Sequence, residues 1–391
     1  MSRFSSNWIS DYVKATENSE PPRIYREWVA VSLVASCLQR KCWIEWGEEK
    51  LFPNMFIVLV GPSGKCRKGT AMNQGRKFLE HLGIKLSADA TTREALIKDI
   101  EDSAQMVALG DRQIPHSSIT VFSPELMVFL DFKNPMLLTN MTDWYDCRSP
   151  WSYKTKHQGD NNIIGLWVNL LGATTPDLIL SSFPRDAIGG GLASRILFIY
   201  AEDKEKLVPV PTFNATMREP LMKDLEAVWA LAGRFRIDEN LWDFYNEWYV
   251  KECGNLPPYL GVDLLSGYAA RRATHLKKLT SIVCAARADD MVMTVEDMQR
   301  AMRILYEAEV TMASCFRGYG RSPVAESMDK LMRFITRSGE AKMSELLAMS
   351  YRDVSYDELT VMLRTLVNMN YIKIDRIANS HDSVVKCVKR V

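Results

Sequence analysis

The sequence predicts an α/β fold: a parallel sheet sandwiched by helices, preceded by a helical layer and followed by a helical region and a small terminal domain. Three observations carry the prediction. Met55-Phe56-Ile57-Val58-Leu59-Val60 is an unbroken apolar run that stops at Gly61, the pattern of a parallel strand buried on both faces. Apolar or β-branched runs at 118–122, 166–171 and 195–200 then alternate with helix-like segments, as strands and crossover helices do. Beyond the polar, proline-bearing stretch AEDKEKLVPVPT at 201–212, residues 215–318 read as almost wholly helical.

Composition bounds the reading. A chain of 391 residues, 47% hydrophobic and 25% charged, excludes a tiny scaffold and general disorder. The net charge of +1 gives no global attraction to nucleic acid or membrane, so a polyanion site must be a local patch. Eight cysteines lack a CxxC pair or zinc-ligand spacing, which points to a reducing compartment. The charged N-terminus reads as no signal peptide, and the apolar runs are too short to span a bilayer. The expectation is a soluble cytoplasmic protein without a membrane partner.

In order, helical spacing at 6–18 and 22–40 is broken at Pro21-Pro22, and 41–47 alternates as a half-buried strand. After the strand at 55–60 come helices near 68–82 and 92–104, strand 118–122, and a helix near 124–130. Strand 166–171, a helix near 176–182 and strand 195–200 follow. The terminal stretch has helices at 324–337, 341–349 and 355–369, the last with a Ser355/Glu358 capping box, then strands at 371–375 and 383–388. Three helices and a hairpin spell a winged helix-turn-helix. The divisions read as 1–50, 51–205, 206–322 and 323–391.

The strongest motif is Gly61-Pro62-Ser63-Gly64-Lys65-Cys66-Arg67-Lys68-Gly69-Thr70, which leaves a buried strand and opens a helix, where a phosphate loop belongs. The lysine expected six positions after Gly61 is displaced: Arg67 stands there and Lys68 follows. We assign Gly61, Gly64, Arg67, Lys68, Gly69 and Thr70 to nucleotide, with Lys68 on the β/γ-phosphates and Thr70 on magnesium. A glycine-rich turn without nucleotide is the alternative. Cys66 reads as an oxidisable thiol if exposed, or as a small packing residue.

Strand 118–122 runs into Ser123-Pro124-Glu125. Glu125 would act as base for water and Ser123 would reach the metal through a water, unless Glu125 only favours the first turn of a helix. At the end of strand 166–171, Thr174 or Thr175 would orient the water or cap the next helix; the two are interchangeable here.

Gly189-Gly190-Gly191 leads to Leu192-Ala193-Ser194-Arg195-Ile196-Leu197-Phe198-Ile199-Tyr200. With that segment the order of motifs resembles the AAA+ P-loop NTPase core of minichromosome-maintenance helicases. It is also similar to phage and mobile-element replication ATPases that share "RKGTA", "LLGATTP" and "GGGLxSR". The resemblance covers about 60–200 and implies ATP and Mg2+ as ligands and a ring, expected hexameric. In that ring Arg195 is a finger acting on the neighbour's γ-phosphate; a structural salt bridge is its bland alternative. It extends to an α-helical lid in which Arg271 or Arg272 senses nucleotide, against the ordinary solvated helix. The hairpin read at 151–164 would put Lys154, Lys156 and His157 on single-stranded DNA in a central pore, or on open surface. The zinc-bearing N-terminal domain of the cellular relatives has no counterpart.

The winged helix holds 11 basic and 9 acidic residues over 323–391, so protein contact competes with DNA contact through Lys386, Lys389 and Arg390. The expected function is an ATP-dependent DNA helicase or translocase in phage or mobile-element replication, with a primase or replication initiator as further partner. Its rivals are a DNA-bound AAA+ switch (helicase loader or transposition regulator) and a catalytically degenerate structural ring.

Overall fold

The computed structural model describes residues 3–88, 92–130, 135–155, 159–182, 191–260, 263–316, 323–350, 354–376 and 382–388. Two compact units share the chain, Met1–Arg317 and Gly318–Val391. The divisions read at 50/51 and 205/206 therefore fall inside the first unit.

The first unit opens with α1 (Trp8–Ala15), N-capped by Asn7, and α2 (Arg23–Leu38), in which every residue from Tyr25 to Leu38 is buried. A helix buried all round belongs to the core. Two of its serines are partnered across the core: Ser32 and Ser36 accept the Asn169 amide at 3.0 and 3.1 Å. β1 (Cys42–Trp46) and β2 (Glu49–Leu51) pair antiparallel, and β3 (Phe56–Val60) enters the main sheet with all five residues buried. After α3 (Lys68–His81) and α4 (Arg93–Glu101), β4 (Ala104–Leu109) turns through Gly110 at φ +59 into β5 (Arg112–Ser123). Then come α5 (Leu126–Leu130), α6 (Pro135–Tyr145), and the hairpin β6 (Trp151–Thr155) and β7 (Gly159–Ile163). β8 (Leu166–Thr174), α7 (Pro176–Ser182) and β9 (Ile196–Tyr200) complete the sheet. The rest is α8 (Ala215–Ala230), β10 (Gly233–Ile237), α9 (Glu239–Gly254), α10 (Ser266–Arg287), β11 (Val292–Met293) and α11 (Val295–Met312).

The main sheet has the order β4-β5-β8-β3-β9, parallel except for β4. Its register aligns Val60 with Thr174 and with Tyr200, and Ser123 with Gly172. The four parallel strands thus end along one edge, with the phosphate-loop candidate in the middle. A second sheet, β11-β10-β1-β2, joins residues from both ends of the unit.

Several expectations need correction. The segment 215–318 is not almost wholly helical, because β10 pairs parallel with β1 and β11 with β10. The helix read at 92–104 stops at Glu101, and the strand read at 118–122 begins at Arg112 with β4 as its hairpin partner. Helix α6 lies where no element was read.

The second unit consists of α12 (Pro323–Ser338), β12 (Glu340–Lys342), α13 (Met343–Ser350), α14 (Tyr356–Asn368), β13 (Ile372–Arg376) and β14 (Ser383–Cys387). Three helices pack on a three-stranded antiparallel sheet around Leu331, Ile335, Leu359 and Leu363. The Ser355/Glu358 capping box is present. Lys386 faces Asp375 at 3.4 Å, and Lys389 and Arg390 lie outside the described residues.

Candidate functional site

The loop from Gly61 to Arg67 leaves β3 and delivers the chain into α3. Gly61 is required by close approach: a Cβ there would stand 2.5 Å from the Ala201 carbonyl and 2.6 Å from the Tyr25 hydroxyl. Gly64 turns the chain at φ +71, a region where side chains are strained. Beneath the loop, Tyr25 Oη of α2 donates to the Val60 carbonyl at 2.6 Å. The Cys66 thiol donates to the Ala201 carbonyl at 3.1 Å. Cys66 is buried, and burial raises its pKa. It is a packing residue of the loop, since an inaccessible neutral thiol reacts poorly.

The geometry separates the two cationic candidates. Arg67 takes a left-handed conformation at φ 53 and donates Nε to Glu20 at 2.6 Å, a hydrogen bond that holds the Glu20 carboxyl below its usual range. Lys68, the first residue of α3, turns back across the loop instead. Its Nζ donates to the carbonyls of Gly61 at 2.5 Å and Pro62 at 3.2 Å. Burial lowers the Lys68 pKa, opposed by Cys66 and by the nearby Glu125 carboxylate. Glu125 and Lys68 thus both follow the carboxyl ends of parallel strands of the main sheet. The first helical N–H to find a carbonyl is that of Ala71, on Arg67, which leaves those of Lys68, Gly69 and Thr70 for a ligand. Thr70 is exposed there.

Along the same edge Ser123 is buried at the end of β5 and Glu125 is exposed just before α5. The threonines are not interchangeable. Thr175 Oγ1 accepts the Leu178 N–H at 3.3 Å and so caps α7. Thr174, 2% exposed, carries a hydroxyl without a hydrogen-bond partner among the described residues, although its carbonyl accepts the Gly61 N–H at 3.4 Å. A buried unpaired hydroxyl costs about 1–3 kcal/mol.

Arg195 stands elsewhere. Ile196 is in register with Phe56, which puts Arg195 at the amino edge of the sheet. It is 5% exposed and binds Asp146 through Nε at 3.2 Å and Nη2 at 2.5 Å. Arg271 lies beside it, donating Nε to the Ser194 hydroxyl at 3.1 Å. Arg272, fully buried, is held by Glu309 at 2.7 and 3.0 Å and by Glu252 at 3.0 Å. It is an anchor within the helical region, and of the two arginines only Arg271 keeps partial exposure, 34% of its side chain. Lys154 lies on β6 opposite Asp160; Lys156, His157, Gly189 and Gly190 lie outside the described residues.

Sequence reasoning missed Tyr25, Glu20 and Asp146, which reach the loop or Arg195 from distant elements and carry no local motif. Among the described residues no group of three or more His, Cys, Asp or Glu side chains could hold a metal ion, and no helix is long and apolar enough to cross a membrane. No protein-family model matches this chain, and no curated protein matches it.

Proposed function

We propose that the chain is an ATP-hydrolysing AAA+ motor that works on DNA as a ring-shaped oligomer, a helicase or translocase in the replication of a phage or other mobile element. The observation that carries the reading is the placement of the Gly61–Thr70 loop with Lys68, of Glu125 and of Thr174 along the one edge where the parallel strands end. Ligands of open α/β sheets bind at that carboxyl edge.

In this reading Lys68 exchanges two carbonyls for the β/γ-phosphates, and the N–H groups of Lys68, Gly69 and Thr70 receive phosphate oxygens. Magnesium, with Thr70 near and Ser123 behind a water, neutralises charge on those oxygens. Glu125 accepts the proton of the attacking water, and Thr174 orients that water. Arg195 is out of reach: the five residues of β3 rise about 16 Å in all, at about 3.3 Å each. It serves a nucleotide only if that nucleotide is carried by another copy, which is why the reading requires a ring, hexameric by the resemblance. The hairpin with Lys154, Lys156 and His157 contacts single-stranded DNA through backbone phosphates. The second unit, read as a winged helix, contacts DNA or a primase or initiator.

Steady phosphate release tests the reading. Wild type hydrolyses ATP, and Lys68→Ala and Arg195→Ala each lose about 1,000-fold in kcat. Equal release from all three overturns the assignment in favour of a degenerate ring. On a forked duplex, ATP-dependent strand release supports the motor, whereas ATP-dependent assembly without release replaces it with a DNA-bound switch.

A further inference from the structure

At the amino edge of the sheet, charged side chains from three segments meet out of balance. Asp146, just after α6, accepts both Nε and Nη2 of Arg195, and Arg271 Nη1 lies 3.9 Å from the same carboxylate. Arg195 Nη1 also donates to the Gly191 carbonyl at 2.6 Å. Lys278, fully buried two turns further along α10, donates to Asn54 Oδ1 at 2.8 Å and stands 3.7 Å from the centre of the Tyr145 ring. Between them His275 joins Tyr145 Oη at 3.0 Å and the Ser194 carbonyl at 3.1 Å. Burial pushes its pKa down to about 3, so the imidazole is neutral. Among the described residues two guanidinium groups thus share one carboxylate, with the Lys278 ammonium buried nearby against Asn54 and Tyr145.

Charge removed from water without its counter-charge is costly, and the cost falls when an anion arrives. The opening through which one would arrive is on the carboxylate side: the Arg195 side chain is 6% exposed, those of Asp146 and Arg271 30% and 34%. Both guanidinium groups are immobilised before any ligand comes, Arg195 by Asp146 and Gly191, Arg271 by Ser194. A free arginine carries about 2 kcal/mol of rotamer entropy that binding would otherwise remove.

Resting on the reading above, we propose that Asp146 is a positioning residue: it holds Arg195 and Arg271 as a paired fork at the seam between copies and yields them to the terminal phosphate of a nucleotide bound by the neighbour. A phosphate oxygen pair replaces the carboxylate oxygen pair, with the same planar complementarity to guanidinium. No bond is made or broken in the exchange. His275 and Arg271, both bonded to Ser194, tie the fork to α10.

The test uses the full chain with ATP and single-stranded DNA. Asp146→Asn keeps the shape but loses the charge, and lowers kcat about 100-fold, the effect of a misplaced transition-state contact. KM for ATP stays within about twofold, because the nucleotide's own cradle is untouched. Asp146→Glu recovers part of kcat. Mixing supplies the second readout: Lys68→Ala has a dead loop but an intact fork, Asp146→Asn an intact loop but a loose fork. An equimolar mixture exceeds both parents and approaches about a quarter of wild type, since heterologous seams form at random. Wild-type kcat in Asp146→Asn overturns the proposal while leaving the motor standing. So does a loss that neither Asp146→Glu nor mixing restores, because that is the mark of a fold defect. If wild type and Arg195→Ala hydrolyse ATP alike, the motor itself has failed, and that result is distinct from the other two.

Discussion

Two adjacent threonines of identical chemistry have opposite uses, and stability should separate them. Thr175 supplies the cap of α7 through its bond to the Leu178 N–H, so Thr175→Ala costs about 1 kcal/mol of stability and leaves hydrolysis in place. Thr174 buries a hydroxyl that nothing in the described residues satisfies. Thr174→Val removes that penalty, and stability stays equal or rises by up to about 1 kcal/mol, while kcat falls about 100-fold if the hydroxyl orients the reacting water. Denaturation midpoints and steady-state turnover of the two variants check both halves. A stability loss at Thr174→Val would place its hydroxyl in an unseen structural bond.

At the scale of elements, α10 and α11 are joined by an ion pair in the interior, Arg272 with Glu309, both completely buried. Removing one partner strands the other charge, so Arg272→Ala destabilises by about 3–5 kcal/mol, whereas Arg272→Met with Glu309→Leu costs less, about 1–3 kcal/mol, for the buried Tyr268 hydroxyl that loses Glu309. Urea midpoints measure both, and turnover per folded molecule is unchanged in the double variant, because Arg272 has no route to nucleotide. The choice between Arg271 and Arg272 was illegible in the sequence because both lie in one helix and only packing distinguishes them. The strands β3, β8 and β9 were legible for a simple reason: strands buried on both faces leave continuous apolar runs. β4 leaves no such trace. Its residues AQMVAL are mostly exposed and several favour helices, so neither period nor composition marks a strand. β10 alternates, yet its partner β1 lies far away in the chain. The site divides similarly. The loop, Glu125 and the threonines sit in contiguous motifs, whereas Tyr25 and Asp146 act across 35 and 49 residues of chain and are visible only after folding.

For the whole molecule, the interior sets the pH range over which the fold holds. Burial pushes the pKa of His116 down to about 4 and that of His275 down to about 3, from the ordinary 6.5. A depressed folded pKa means the unfolded chain takes up the proton first. The stability from these neutral imidazoles is complete above pH 6.5 and is lost as pH falls toward 4 and 3, by up to about 1.4 kcal/mol per pH unit for each. On the alkaline side burial raises the thiols of Cys37, Cys42 and Cys284 above the ordinary 9.0. The unfolded chain then loses those protons first, and stability declines above pH 9. Lys278, lowered by burial from 10.5 to about 8, works in the opposite direction there, as do Lys41, Lys50 and Lys68, but burial also raises the thiols of Cys66, Cys147 and Cys253, so among the described residues raised thiols outnumber lowered lysines. Under reducing conditions the urea midpoint is therefore expected to be flat between about pH 6.5 and 9 and to fall on both sides. His116→Asn with His275→Gln lowers the midpoint at neutral pH, since His275 bridges Tyr145 and Ser194, but flattens the acid limb between pH 6.5 and 4. An acid limb of unchanged slope in that double variant would show that carboxylates, and not the buried imidazoles, set the acid limit of this fold.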